Sequence, residues 1–403
     1  MKTEIHALTG AAIFDGSKLH QRQALLVQDR QIVGIIPQSE VPNKAHRVPL
    51  SGGTLVPGFV DLQVNGGGGV MLNDDPSVAT LKRMAQAHAR LGATSILPTL
   101  ITDTPGTTRT AIAAVNSALT QGLAGIIGLH LEGPHLAMSR KGAHDGALIR
   151  PMMAEDLAML CAAAQQLPVL KITLAPESAT PEQMRALAKA GAILSLGHTD
   201  ATFDQCVAAT KAGVSCVTHL FNAMRPLGSR EPGVVGAALG LGELSAGMIG
   251  DLIHVHPDTM RLAMAAKQGP GRIFLVSDAM AVAGTDIGTF SLNGREVSRR
   301  NGRLTLGDGT LAGADIDLAA AARNLTGIGV APETALAMVT SRPAAVIGRQ
   351  GDLGSLRPGN RADFVHLDAE MRLGAVWCGG LVLDQPPVKA CCVQLSPIKR
   401  NTC

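Results

Sequence analysis

The chain has 403 residues, 46% of them apolar, which is too long for one small core and enough to fill a large interior. Aromatic residues make up 2%, with no Tyr and a single Trp, so that interior must be aliphatic; the stacking platforms used for single-stranded nucleic acid are missing. A net charge of +3 from dispersed Lys and Arg excludes a basic stripe for nucleic acid or an anionic membrane, and no apolar run approaches the ~20 residues that span a bilayer.

The first residues, Met1 to His6, lack the apolar region of a signal peptide. Seven cysteines, at 161, 206, 216, 378, 391, 392 and 403, are odd in number and form no C-x-x-C pair. A reduced, cytoplasmic setting is expected.

Residues 1–56 read as short strands. Segments 24–28 and 31–36 flank Asp29-Arg30 as a hairpin, with a turn weaker than Asp-Gly because Arg30 disfavours positive φ. Val56-Pro57-Gly58 marks a boundary, after which the rhythm becomes strand, loop, helix. Eight strands are expected at 58–63, 95–100, 126–131, 170–175, 194–197, 217–219, 246–249 and 273–277. Gly58 to Ile273 is 215 residues over seven steps, about 31 each, the spacing of a (β/α)₈ barrel of ~250 residues. Leu81, Met84, Ala85 and His88 fall on one helical face, and 181–190 follows Thr180 as an N-cap. Helical stretches at 316–326 and 332–340 come next, and strand-like pieces at 361–367 and 375–383 complete the sheet begun by 1–56. The expected organisation is therefore α/β, with a barrel over 57–349, a small β domain from 1–56 and 350–388, and a disordered tail at 389–403.

Polar residues gather where these strands end, at the rim where barrel chemistry is done. The third strand opens into Glu132 and is stopped by Gly133-Pro134. A carboxylate there is costly unless something positive sits beside it. Gln63 and Asn65 follow strand one, His198 strand five, His219 strand six, Asp251 and His254 strand seven, and Asp278 strand eight. Any one of these alone reads as structural; together they converge on one rim. Glu132, His198 and His219 make a three-ligand set with an open position, suited to Zn²⁺ and also to Fe²⁺ or Co²⁺. Such a metal brings the pKa of water to ~7. Asp278 reads as the general base that takes a proton and returns it to a leaving amine. The run Gly66–Gly69 matches neither G-x-G-x-x-G nor a Walker loop, and reads as a turn permitting close backbone approach. His130 is expected to face the opposite side of its strand from Glu132 and to be structural; His20, His46, His88, His256 and His366 carry no assigned role.

Several segments together resemble the N-acetylglucosamine-6-phosphate deacetylases of the amidohydrolase superfamily. They are Gly58-Phe-Val-Asp-Leu-Gln-Val-Asn-Gly-Gly67, His130-Leu-Glu-Gly-Pro134, Lys141-Gly-Ala-His144, Gly197-His-Thr199, Thr218-His-Leu-Phe-Asn-Ala-Met224, Arg230-Glu-Pro-Gly233 and Leu275-Val-Ser-Asp-Ala279. They occur in the family's order and cover roughly 50–370. The resemblance implies a distorted (β/α)₈ barrel with a small β-sandwich, hydrolysing the acetamide of an amino-sugar phosphate. It carries metal ligation to Glu132, His198 and His219 and acid/base work to Asp278. Substrate contacts fall on Ala143, His144, Asn222, Ala223, His254, Leu311, Ala312 and Gly313. Arg230 is expected to reach a sugar phosphate from a neighbouring subunit, which implies a homodimer. A guanidinium fork suits such a phosphate without any aromatic platform.

Two departures from the family pattern bear on function. Gln63-Val-Asn65 stands where many amidohydrolases have His-x-His, a vestigial second-metal position, so one metal is expected. A Leu-Ser-Gly-Ser pattern reads here Leu311-Ala-Gly-Ala-Asp315; the lost hydroxyls and added carboxylate bear on which epimer is accepted. The competing readings are an N-acetylgalactosamine-6-phosphate deacetylase, a hydrolase of cyclic amides, and a non-catalytic scaffold that would have lost its ligands.

Overall fold

Eight parallel strands make the barrel wall: Phe59–Val64, Ala93–Ile101, Leu129–Glu132, Leu170–Leu174, Ile193–Leu196, Val214–Val217, Ser245–Ile249 and Ile273–Val276. A computed structural model describes residues 4–383, so the tail expected to be disordered lies outside the described residues. The strands stand in chain order, each hydrogen-bonded to the next. Between the eighth and the first the ladder is irregular. An isolated Val64–Ala279 bridge, Ser277 N to Asp61 Oδ1 at 3.2 Å and Asn65 N to Ala279 O at 2.8 Å close the wall. The barrel is therefore distorted, as expected. Strand six lies earlier than the expected 217–219: it ends at Val217, because His219 takes a positive φ of 29° that extended backbone excludes.

The outer helices follow the apolar spacing. Val78–Arg90 buries Leu81, Met84, Ala85 and His88, and its first turn is capped by Ser77 accepting from Thr80 N. Thr180 and Gln183 form a capping box on Pro181–Lys189. Leu318–Gly327 and Pro332–Val339 sit near the expected places. His88 holds the Gly66 turn through its carbonyl: Nε2 donates to Gly66 O at 2.8 Å. A Cβ on Gly67 would stand 2.6 Å from that same ring nitrogen, which is why the run must be glycine there. Among the described residues no helix is long and apolar enough to cross a membrane.

Both chain ends contribute to one six-stranded sheet, in which Thr54–Pro57 lies between Ala12–Phe14 and Phe364–Leu367. A four-stranded sheet packs on it, and includes the expected hairpin Gln23–Gln28 and Gln31–Pro37. Arg30 accepts its turn after all, with φ of 52° at Asp29 and 68° at Arg30. Leu8, Ile13, Leu25, Leu55, Phe364 and Trp377 fill the space between the sheets, the last two stacked with ring centroids 4.8 Å apart.

One sheet was not anticipated. Thr289–Leu292, Arg295–Arg300, Arg303–Leu306 and Leu311–Ala314 form an antiparallel meander after the eighth barrel strand. Its first two turns are Asn293-Gly294 and Asn301-Gly302, all four residues at positive φ, the strongest short-range hairpin signal a sequence carries. The last strand joins the barrel rim through Ala314 N to Asp278 O at 3.0 Å. The meander is thereby fixed beside the residue expected to do acid/base work.

Candidate metal centre

Glu132, His198 and His219 meet at the rim, all buried. Glu132 Oε1 lies 2.9 Å from His219 Nε2 and 3.3 Å from His198 Nε2, and the two nitrogens are 3.1 Å apart. A tetrahedral ion with ligands at 2.0–2.1 Å separates its donors by roughly 3.3 Å, so this triangle has the size of a metal's coordination face. His198 donates from Nδ1 to Arg140 O at 2.8 Å, which turns Nε2 toward the cluster. Burial alone would lower the His219 imidazole, but the Glu132 carboxylate outweighs it and raises it. Burial likewise opposes ionisation of Glu132, yet the two imidazoles hold its carboxyl well below the usual range. The pocket favours positive charge between these groups, and the residues present fit a divalent cation.

Asp278 stands beside this cluster and is buried. Its Oδ1 accepts from Asn65 Nδ2 at 2.7 Å and Gln63 Nε2 at 3.1 Å, and Gln63 also donates to both Glu132 oxygens at 3.2 and 3.1 Å. Burial first, and the neighbouring Glu132 charge second, raise the Asp278 carboxyl. Burial and that neighbouring charge both oppose its ionised form, the kind of displacement found at acid–base groups. Among the described residues, five buried side-chain atoms lack a hydrogen-bond partner; four belong to Asp61, Gln63, Asn65 and His219. Unsatisfied polar atoms are thus concentrated at this one place.

The loops supply the rest. His144 is buried, with Nδ1 2.8 Å from Thr102 Oγ1 and its ring edge-on to His198 at 4.3 Å. Burial, then the nearby His198, hold it well below the ordinary histidine range, so it is neutral. Gly142 needs its positive φ of 53°, and a Cβ there would lie 3.3 Å from the His198 ring and 3.9 Å from Ala223. Ala143 O accepts from Arg295 Nη2 of the meander. Asn222 sits in the turn after His219 and donates from its backbone to His219 O at 2.9 Å. His254 donates from Nδ1 to Asp251 Oδ2 at 2.6 Å, leaving Nε2 open. Burial pushes the Asp251 carboxyl up, but the bonds from His254 and Ile253 outweigh it and hold it low. Leu311, Ala312 and Gly313 line the strand that joins Asp278, and a Cβ on Gly313 would meet Asp278 O at 2.7 Å.

Arg230 is not tied into this group. It ends an exposed run, 226–230, and makes no hydrogen bond or ion pair within the described residues. Asp315, the carboxylate added after Leu311, is engaged by Arg299, whose Nε donates to it at 2.8 Å. It braces the meander, rather than standing as a free charge toward a sugar.

His130 does not face away from Glu132. Residues two apart on a strand share a side, so both point into the bore, where His130 meets Thr99 Oγ1 at 3.1 Å and Thr173 Oγ1 at 2.7 Å. The same period places two charged residues in the bore that sequence reasoning passed over. Lys171 is buried with Nζ 3.3 Å from His130 Nε2, and burial lowers its ammonium below the ordinary range. Asp61, two residues before Gln63, accepts from Ser277 N and Gln63 N, and burial pushes its carboxyl up to about 7. A charge inside an otherwise apolar strand was the available signal. Strain also marks the site: of twelve non-glycine residues at positive φ among the described residues, six are His198, His219, Phe221, Ala223, Leu252 and Asp278.

A barrel with one carboxylate and two imidazoles converging at the ends of strands three, five and six, and a raised carboxyl after strand eight, has the equipment of a metal-assisted hydrolase. The chain belongs to the amidohydrolase family, whose family model matches residues 54–389; a second, the NagA composite domain, matches 5–55. Among relatives, it is 41% identical to an N-acetylgalactosamine-6-phosphate deacetylase of Shewanella sp. (strain ANA-3), over 93% of this chain and 95% of that one. It is 33% identical to an N-acetylglucosamine-6-phosphate deacetylase of Haemophilus influenzae, over 89% and 94%. A solved N-acetylglucosamine-6-phosphate deacetylase from Pasteurella multocida superposes with a TM-score of 0.89 at 35% identity, covering 93% of this chain and 98% of that one.

Proposed function

We propose that the chain hydrolyses the acetamide of N-acetyl-D-glucosamine 6-phosphate, giving glucosamine 6-phosphate and acetate, a step of amino-sugar catabolism. The observation that carries this reading is the Glu132–His198–His219 triangle with Asp278 beside it. One divalent cation held by that triangle, Zn²⁺ with Fe²⁺ or Co²⁺ as the other candidates, would polarise the acetamide carbonyl and acidify a water. Asp278 takes a proton from the attacking water and delivers it to the departing amine. Gln63 and Asn65 both donate to its Oδ1, which fixes the carboxyl and leaves Oδ2 for the transfer. Their amide hydrogens, directed at Glu132 and Asp278, take the place a second cation would need. His144 and His254 are each bonded through Nδ1, so Nε2 is the atom offered to the carbonyl oxygen or the sugar.

The backbone of Asn222 and Ala223 and the segment 311–313, with Ala143, bound the sugar in this reading. Arg230 binds the phosphate of a partner subunit's substrate in a homodimer; its exposure, and that of Leu227 at 61%, support this. A cytoplasmic location belongs to the same reading, supported by four described cysteines that are all free. Mixing Arg230→Ala with Asp278→Asn subunits tests the crossing. Hybrid dimers regain one intact site if Arg230 acts across the interface, and none if it acts within its own chain.

A second reading, N-acetyl-D-galactosamine 6-phosphate as the substrate, is favoured by the 41% identity to a deacetylase of that sugar. Acetate release from the two epimers decides between them. Turnover of neither above background rejects both readings.

A further inference from the structure

We propose that Asp200 is a positioning residue that locks the two substrate loops and the ligand-bearing end of strand five into one unit. Only its kinetic readout rests on the deacetylase reading. Asp200 follows His198 by two residues, and its carboxylate takes a guanidinium from each side. Arg140, on the loop after strand three, donates to Oδ1 from Nε at 3.0 Å and Nη2 at 2.8 Å. Arg225, on the loop after strand six, lies with Nη2 3.3 Å from Oδ2 and donates from Nε to Asp200 O at 2.7 Å. Asp200 is itself fixed, because its N–H donates to Glu177 Oε1 at 2.6 Å and Thr199 Oγ1 donates to Glu177 Oε2 at 2.6 Å.

Each arm reaches the site. Arg140 O is the acceptor for His198 Nδ1, so the residue clamped by Asp200 also sets which nitrogen of the ligand faces the cluster. Three residues further on are Ala143 and then His144; two residues before Arg225 stands Ala223. The three side chains are about one third exposed, so neither pair alone contributes much to stability. The geometry matters more than the pair energies. Two arginines on different loops share a single carboxylate, and without it both lose that common anchor. Removing the Asp200 carboxylate takes the shared partner from both arginines at once, and leaves the 222–232 loop only backbone ties such as Arg225 Nε to Asp200 O and Arg225 N to Thr199 O.

The test compares Asp200→Ala, Asp200→Asn and Arg225→Ala in the metal-loaded protein, by steady-state kinetics and by hydrogen exchange. Asp200→Ala is expected to raise KM for the sugar phosphate about 10-fold with kcat within about threefold, since misplaced binding groups act on positioning while the reacting groups stay. Exchange should quicken in both 138–148 and 222–232 but not in Val78–Arg90 or Pro181–Lys189. Asp200→Asn should fall between, and Arg225→Ala should loosen 222–232 alone. An unchanged KM, or exchange that quickens in only one loop of Asp200→Ala, overturns the proposal; so does exchange that quickens throughout the barrel. If Asp200→Ala does not fold, Asp200→Asn is judged on the same readings. If wild type turns over neither epimer, the functional reading fails and the two-loop exchange pattern still decides the clamp.

Discussion

The chain-end sandwich and the barrel bore are both built of strands with sealed interiors, yet they are filled differently. Every buried polar or charged residue among those described falls between Asp61 and Thr340; the sandwich interior has none. It is held by aliphatic packing and the Phe364–Trp377 stack. The bore instead holds Asp61, Glu132, Lys171 and Asp278, each desolvated and each with a displaced pKa. Buried charge is a poor way to stabilise a fold. Its concentration in the bore and rim of one domain marks where structure serves chemistry.

The sharpest way to break that contrast is to remove a donor from the triangle. His219→Ala should lose the cation and turnover on the order of 10⁴-fold, the equivalent of several kcal/mol at the transition state. Metal content by mass spectrometry and acetate release check this, and a variant that keeps both would show that the charged rim is no metal centre. Asp278→Asn should keep the metal and lose ~10²–10⁴-fold in turnover, as general acid–base groups do; near wild-type rates would remove Asp278 from that role. On the other side of the comparison, Phe364→Ala should cost about 3–5 kcal/mol in urea unfolding while kcat per folded molecule holds. A large fall in kcat there would mean that the sandwich is not a passive brace.

Much of this contrast was legible in the sequence. Glu132, His198, His219 and Asp278 each interrupt an apolar strand at the repeat of a βα unit, so period and residue type sufficed. The eight strands were found for the same reason. What escaped depended on finer geometry. His130 shares the Glu132 side because side chains two apart on a strand point the same way, Asp61 stands behind the more conspicuous Gln63, and Lys171 is a lone charge well inside its strand. The meander's Asn-Gly turns were present but lay within a stretch read as barrel. The end of strand six is set by a positive φ at His219 that no residue type announces. The clamp on Asp200 joins residues 60 and 25 positions away, and only the fold brings them together.

The smallest effect bears most directly on the bore. Burial carries the Asp61 carboxyl from an ordinary 3.8 to about 7. Between those values the folded chain holds a proton that the unfolded chain releases, so stability falls as pH rises through that window and levels off above it. At 1.36 kcal/mol per unit the loss is capped at about 4 kcal/mol. Asp61→Asn keeps one oxygen to accept from Ser277 N and Gln63 N, places an amide where Oδ2 has no partner, and cannot ionise. Urea midpoints measured from pH 5 to pH 8 should therefore favour the variant most at pH 8, with the difference shrinking toward pH 5. A constant difference, or a variant weaker at pH 8, would mean that Asp61 is ionised and partnered when folded. If the variant gains stability at pH 8 and loses turnover, the bore retains that carboxyl for the rim above it, at the expense of the fold.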